Sequence, residues 1–246
     1  MSSKTAIITG GGSGIGLAIA EKFTANGIDT IIIGRDENKL KAAKEKLGDR
    51  CHTISFDLTK LSDTPSLIEK ITNQFGHIDI LVNNAGINMK KEFTDVTDED
   101  FQKIIMTNLT SVFTISREVI KHMKQKNAGS IINISSMASQ YGIPKVIAYT
   151  ASKSAIEGMT RAMAVELSPM GIRINCIAPG FIATDMSAKA LNNDPERKEK
   201  ALGRTPMGHL GNPSDVADAA FYFANGESKY VTGVVLPVDG GNSIGF

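Results

Sequence analysis

Seven short apolar runs, rich in isoleucine and valine, recur along the chain at 5–9, 30–34, 52–57, 78–83, 130–135, 172–178 and 233–239. Each is nearly continuous in hydrophobicity rather than alternating, the pattern of a strand buried on both faces of a parallel sheet. Between them the period changes to that of an amphipathic helix, at 15–26, 37–47, 66–75, 98–126 and 149–167. Strand and helix in turn imply right-handed crossovers. The predicted fold is a single-domain α/β protein, a Rossmann-type doubly wound parallel sheet of about seven strands, covering 1–246. One stretch, 183–212, breaks the alternation: it is polar and turn-rich, with a short helical pattern at 196–202. It is expected to be a substrate lid, with a surface insertion or an oligomer contact as alternatives.

Composition narrows the partners. The net charge is +1, which gives no basic surface for nucleic acid or an anionic membrane. No apolar run approaches the roughly 20 residues that span a bilayer. The two cysteines, Cys51 and Cys176, lie in apolar strand-like settings and read as buried thiols. The four histidines have no metal-ligand spacing. A cytoplasmic protein without a metal is expected.

The candidate chemistry lies at strand ends. "TGGGSGIG" (9–16) follows the first strand and opens the first helix, with Gly10, Gly14 and Gly16 in a G-x-x-x-G-x-G spacing. Such a loop presents helix N–H groups to an anion and lets the backbone approach it closely. After the second strand come Gly34, Arg35 and Asp36. Arginine there suits a 2′-phosphate, which favours NADP over NAD, while Asp36 is equally readable as the N-cap of the next helix. Tyr149 and Lys153 are four apart and so share a helix face. A neighbouring ammonium is expected to lower the tyrosine pKa toward useful acid–base chemistry. Ser135 and Ser136 end a strand, and each is readable as a turn cap or as a ligand for a substrate oxygen. Asn108 falls inside a helical pattern, where asparagine is unfavourable.

Together these features resemble the classical short-chain dehydrogenase/reductase family over nearly the whole chain. The resemblance implies a catalytic set of Asn108, Ser136, Tyr149 and Lys153. Tyr149 would be the general acid/base, Ser136 would hold the substrate oxygen, Lys153 would bind the nicotinamide ribose, and Asn108 would position a relay water. It implies cofactor contacts from Gly10, Gly12, Ser13, Gly14, Ile15 and Gly16 and from Arg35, Asp57 and Leu58. The "NNAG" segment adds Asn84, Ala85 and Gly86; Tyr149 and Lys153 also contribute, as do Pro179, Gly180, Ile182 and Thr184. It further implies a homotetramer, supported by the apolar Ile244 and Phe246. For substrate, the sequence favours a keto sugar, sugar acid or polyol, with Lys90, Lys145, Arg204 and His209 as candidate carboxylate-binding cations. The alternatives are a 3-oxoacyl-acyl-carrier-protein reductase and, remotely, a non-catalytic dinucleotide-binding regulator.

Overall fold

The computed structural model describes residues 3–184, 187 and 195–245. Seven strands form one parallel sheet: β1 (Thr5–Thr9), β2 (Asp29–Gly34), β3 (Cys51–Ser55), β4 (Ile80–Asn83), β5 (Gly129–Ile134), β6 (Ile172–Pro179) and β7 (Val235–Val238). Their spatial order is β3-β2-β1-β4-β5-β6-β7. Register is tight at the centre, where Ile7 lies between Ile31 and Leu81.

Successive side chains of a strand point to opposite faces, and both faces here are apolar. Ile8, Ile32, Val82 and Ile132 face one core, with Ile19, Ala20 and Phe23 of α1 (Gly14–Ala25) and Leu40 and Ala43 of α2 (Glu37–Leu47). Ile7, Ile31, Ile33, Leu81 and Ile131 face the other, with α3 (Thr64–Phe75) supplying Leu67, Ile68 and Ile71. This two-sided burial is why the strand runs are continuously hydrophobic in sequence. Both cysteines are free and buried.

The stretch expected as one helix at 98–126 is divided. α4 (Asp98–Ile105) and α5 (Ser111–Lys126) flank a π-turn at Met106–Thr110, with Asn108 at its centre. π-turns of this kind mark functional positions in helices. α6 (Ile147–Leu167) starts two residues before Tyr149. The helical pattern at 196–202 becomes α7 (Pro195–Gly203). The rest of the expected lid lies partly outside the described residues. A further helix, α8 (Pro213–Ala224), was not anticipated; it has a capping box formed by Asn212 and Asp215 and packs on α1. Among the described residues, no helix is long and apolar enough to cross a membrane.

The sheet's topology switches between β1 and β4, because successive strands depart in opposite directions from there. Open α/β sheets bind ligands beyond the carboxyl ends of the strands at such a point. The loops described next all lie there.

Candidate active site

A cleft of about 620 Å³ runs across the strand ends. The glycine loop forms its floor. Gly10 has φ +68°, and a Cβ there would lie 3.0 Å from the Cα of Ala85, so the loop after β4 closes directly over it. Gly16 is packed below rather than lining the cleft: its Cβ would lie 2.3 Å from the Gly10 carbonyl oxygen and 2.5 Å from Asn84 Nδ2. Asn84 Nδ2 donates to the Thr9 and Gly10 carbonyls at 3.0 and 3.2 Å, and the Asn84 and Ala85 N–H groups both donate to Thr9 Oγ1 at 3.0 Å. Two loops distant in sequence are thereby joined into one wall.

The start of α1 is chemically open. Ser13 sits at its N-cap without a side-chain capping bond, and its first turn holds no acidic residue. By contrast, Asp36 caps α2 by accepting from Lys39 N at 3.1 Å, and Thr97 caps α4 in a capping box. Free N–H groups at a helix start, facing a cleft, suit a phosphate. Further along, the lining includes Arg35, Lys39 and Asp57. Asp57 accepts from Thr59 N at 3.0 Å and Thr59 Oγ1 at 2.8 Å; these bonds, with Arg35 nearby, hold its carboxyl below the usual aspartate value.

Tyr149, Ser136 and Lys153 converge at the other end of the cleft. The turn-cap reading of Ser136 is the one the fold shows. Its Oγ accepts from Ala138 N at 3.1 Å, capping the short turn Met137–Ser139, and it hydrogen-bonds Tyr149. Lys153 Nζ donates to the Ile134 carbonyl at 2.7 Å and lies 5.6 Å from the centre of the Tyr149 ring. Burial of the ammonium lowers its pKa to about 8. The expected lowering of the tyrosine pKa is not found in the chain alone. Burial raises it, and the Ser136 hydrogen bond only opposes that rise. Removing the phenol's water disfavours its anion, and the ammonium is held by Ile134 rather than by the phenol oxygen.

Asn108 does not line the cleft. Its Oδ1 accepts from Ile87 N at 2.8 Å, and its Nδ2 donates to the Ile87 carbonyl at 2.9 Å and to Ser152 Oγ at 3.1 Å. Both amide donors are engaged, so the side chain pins the strand-end segment to α6.

The model for the family described as enoyl-(acyl carrier protein) reductase matches residues 10–243. A 3α-hydroxysteroid dehydrogenase of Mediterraneibacter gnavus is 41% identical over 246 residues, covering 98% of this chain and 97% of the relative. A 3-oxoacyl-(acyl-carrier-protein) reductase of Haemophilus influenzae is 38% identical over 241 residues, covering 98% of each. The chain belongs to the short-chain dehydrogenase/reductase family. A solved structure described as a gluconate dehydrogenase from Agrobacterium tumefaciens superimposes with a TM-score of 0.95 at 35% identity, over 99% of this chain and 97% of that one. Solved neighbours hold NADPH or NADH, so this oxidoreductase is of the NAD(P) class.

Of the cofactor residues expected from sequence, the fold brings all but Gly16 into the cleft lining, from Gly10 and Gly12 to Ile182 and Thr184. Thr184 also packs near Gly14, where a Cβ would meet its Cγ2 at 3.5 Å. The four candidate carboxylate-binding cations fall elsewhere. Among the described residues, none of Lys90, Lys145, Arg204 and His209 lines the cleft. Lys145 pairs with Glu92 at 2.5 Å. Arg204 Nε donates to the Asn242 carbonyl at 2.9 Å. His209 is exposed, with Nδ1 2.9 Å from the Leu210 carbonyl. Ile244 is 83% exposed in the single chain, and Phe246 lies outside the described residues.

Sequence reasoning missed Lys39 and Glu157, and gave Thr9 only as the first residue of the glycine motif. Lys39 sits one position before the periodic Leu40, a signal that it faces the cleft mouth while Leu40 faces the core. Glu157 is buried one helical turn beyond Lys153, where it accepts from Ser135 Oγ at 2.9 Å and from Ser139 Oγ. It thereby braces the turn that Ser136 caps.

The lowered Lys153 pKa has a consequence for stability. The folded chain releases this proton at about pH 8, the unfolded chain near 10.5. Between those values the unfolded state binds more protons, so this group's contribution to stability rises with pH, by at most about 1.4 kcal/mol per unit. In urea titrations of cofactor-free protein, wild type is expected to gain on Lys153→Met as pH increases from about 7.5 to 9. A pH-independent difference would show that the ammonium is not desolvated.

Proposed function

We propose that this reductase interconverts a ketone and a secondary alcohol carried on a largely apolar skeleton, a fused ring or an acyl chain, with NADPH preferred to NADH. The supporting observation is the wall beside Tyr149. Ile87, Ala138, Ile143, Val146 and Phe181, neighbours in sequence or space of the Ser136 turn and the start of α6, contribute apolar side chains to the lining, with Asn88 beside Ile87. Such side chains reward hydrocarbon burial at about 25 cal/mol per Å². The named activities of the steroid dehydrogenase and acyl reductase relatives agree with this reading. The sugar-acid or polyol reading retains support from the gluconate dehydrogenase likeness.

The cleft fits a nicotinamide dinucleotide. The uncapped start of α1 would take the pyrophosphate, Asp57 and Leu58 would flank the adenine, and Arg35 and Lys39 would meet a 2′-phosphate. Bound there, the cofactor would supply or accept the hydride. The rest is this chain's own work. Tyr149 Oη holds a proton at neutral pH, because burial raises its pKa, and so it is set to protonate a carbonyl oxygen. Ser136 Oγ, fixed by its capping bond, orients that oxygen. Lys153, anchored on Ile134, lies within reach of a ribose and keeps positive charge under the phenol ring. The expected homotetramer is supported by Phe113 on α5 and Val165 on α6, apolar and 49% and 81% exposed.

The test is oxidation of NADPH and of NADH, followed at 340 nm, with a 3-ketosteroid, acetoacetyl thioester and 5-keto-gluconate. Turnover of either apolar ketone, at least tenfold faster than the keto acid, is expected. Preference for 5-keto-gluconate would overturn the apolar reading and restore the sugar-acid one.

A further inference from the structure

The segment after β7 passes beside the expected lid. Asn242, fully buried, joins three separate parts of the chain through one side chain. Its Nδ2 donates to the Ala201 carbonyl at 3.0 Å and to Thr205 Oγ1 at 2.7 Å, at the end of α7. Its Oδ1 accepts from the Tyr141 hydroxyl. Its carbonyl accepts from Arg204 Nε, and the Arg204 guanidinium stacks 4.3 Å from the centre of the Tyr141 ring. Tyr141 lies between Ser139, which contacts the Ser136 carbonyl, and Ile143, which lines the cleft. The 183–212 excursion is fixed at its base by the parallel bridge between Ile182 and Gly211. Asn242, from outside it, fixes it a second time at Ala201 and Thr205, on the side of the loop that carries Tyr141.

Only an amide fills this position. Two donors meet two acceptors and a carbonyl meets a hydroxyl, so an acid of the same shape loses both donors, and a hydrocarbon removes all three bonds, leaving Thr205 Oγ1 and the Ala201 carbonyl to each other at 2.7 Å. Arg204, read from sequence as a substrate cation, is instead part of this junction. We infer that Asn242, with Tyr141 and Arg204, is a positioning residue that sets the end of the lid against the Ser136–Val146 loop and so fixes the width of the substrate end of the cleft. Asn242 is fully buried and is not among the described residues that line the cleft.

Asn242→Ala and Tyr141→Phe test this, the second keeping the ring stacked on Arg204 and removing one hydroxyl. Two readouts are needed. Hydrogen exchange by mass spectrometry is independent of any substrate: both variants should speed exchange in 139–146 and in 195–205 together, with the sheet strands unchanged. The kinetic arm rests on the proposed function and uses trans-1-decalone as the ketone. Its KM should rise roughly fivefold or more, the effect of one net hydrogen bond, with kcat within about twofold and NADPH affinity unchanged. Failure of wild type to reduce decalone would count against the proposed substrate class alone and would leave the exchange arm to decide. Faster exchange confined to the substituted segment, or an unchanged decalone KM in a wild-type background that turns it over, would overturn the inference.

Discussion

Tyr149→Phe is expected to lower kcat/KM by about 10²–10⁴, the usual contribution of a positioned acid–base group. Phenylalanine keeps the ring beside Lys153 Nζ, which lies 5.6 Å from its centre, and removes only the oxygen that bonds Ser136. The loss should therefore fall on the proton transfer and not on the cleft's shape. Burial raises the tyrosine pKa in the cofactor-free chain, so the hydroxyl is protonated through neutral pH. Ketone reduction, which consumes a proton, should accordingly hold its rate toward lower pH, whereas alcohol oxidation should require a rise in pH. Retention of more than a tenth of the wild-type kcat/KM by Tyr149→Phe would exclude Tyr149 as the acid.

The second large effect concerns the cofactor. Arg35→Ala with Lys39→Ala is expected to reduce kcat/KM for NADPH by about 10²-fold or more, with NADH altered by only a few fold. A hydrogen bond to a charged group contributes roughly 1.5–3 kcal/mol, and two would be lost. Asp36 also lines the cleft, but one of its carboxylate oxygens is engaged by Lys39 N at the start of α2. Gly34, at the end of β2, leaves the space beside the lining open: a Cβ there would meet only Leu40, at 3.5 Å. The measurement is steady-state kinetics with both cofactors on one ketone. Equal losses for NADPH and NADH would show that these cations do not recognise a 2′-phosphate.

Much of this was legible in the chain. Strand and helix periods are local, and buried parallel strands write themselves as continuous apolar runs, as Ile31, Ile32 and Ile33 do by facing alternate cores. The glycine loop and the Tyr149–Lys153 spacing are likewise local, because a turn and a helix face need only a few neighbours. α8 is hard to read from sequence because it starts directly after the polar 183–212 stretch, whose last residue, Asn212, is its N-cap. The interruption at Asn108 was suggested by its poor helix propensity, but the π-turn form depends on bonds to Ile87, 21 positions away.

Sequence by itself determined the fold class, the family and the order of the site segments, because each depends on patterns spanning a few residues. Tertiary structure decided which way charges and amides point. Arg204 and Lys145 read as free cations in a string of letters; in the fold one stacks on Tyr141 and the other pairs with Glu92. Asn242 is an unremarked letter after two glycines, yet it meets Tyr141 across 101 positions. The direction of the Tyr149 pKa was misjudged for the same reason. Proximity along a helix announces the ammonium, whereas desolvation is a property of everything packed around the hydroxyl, and only the folded chain supplies that.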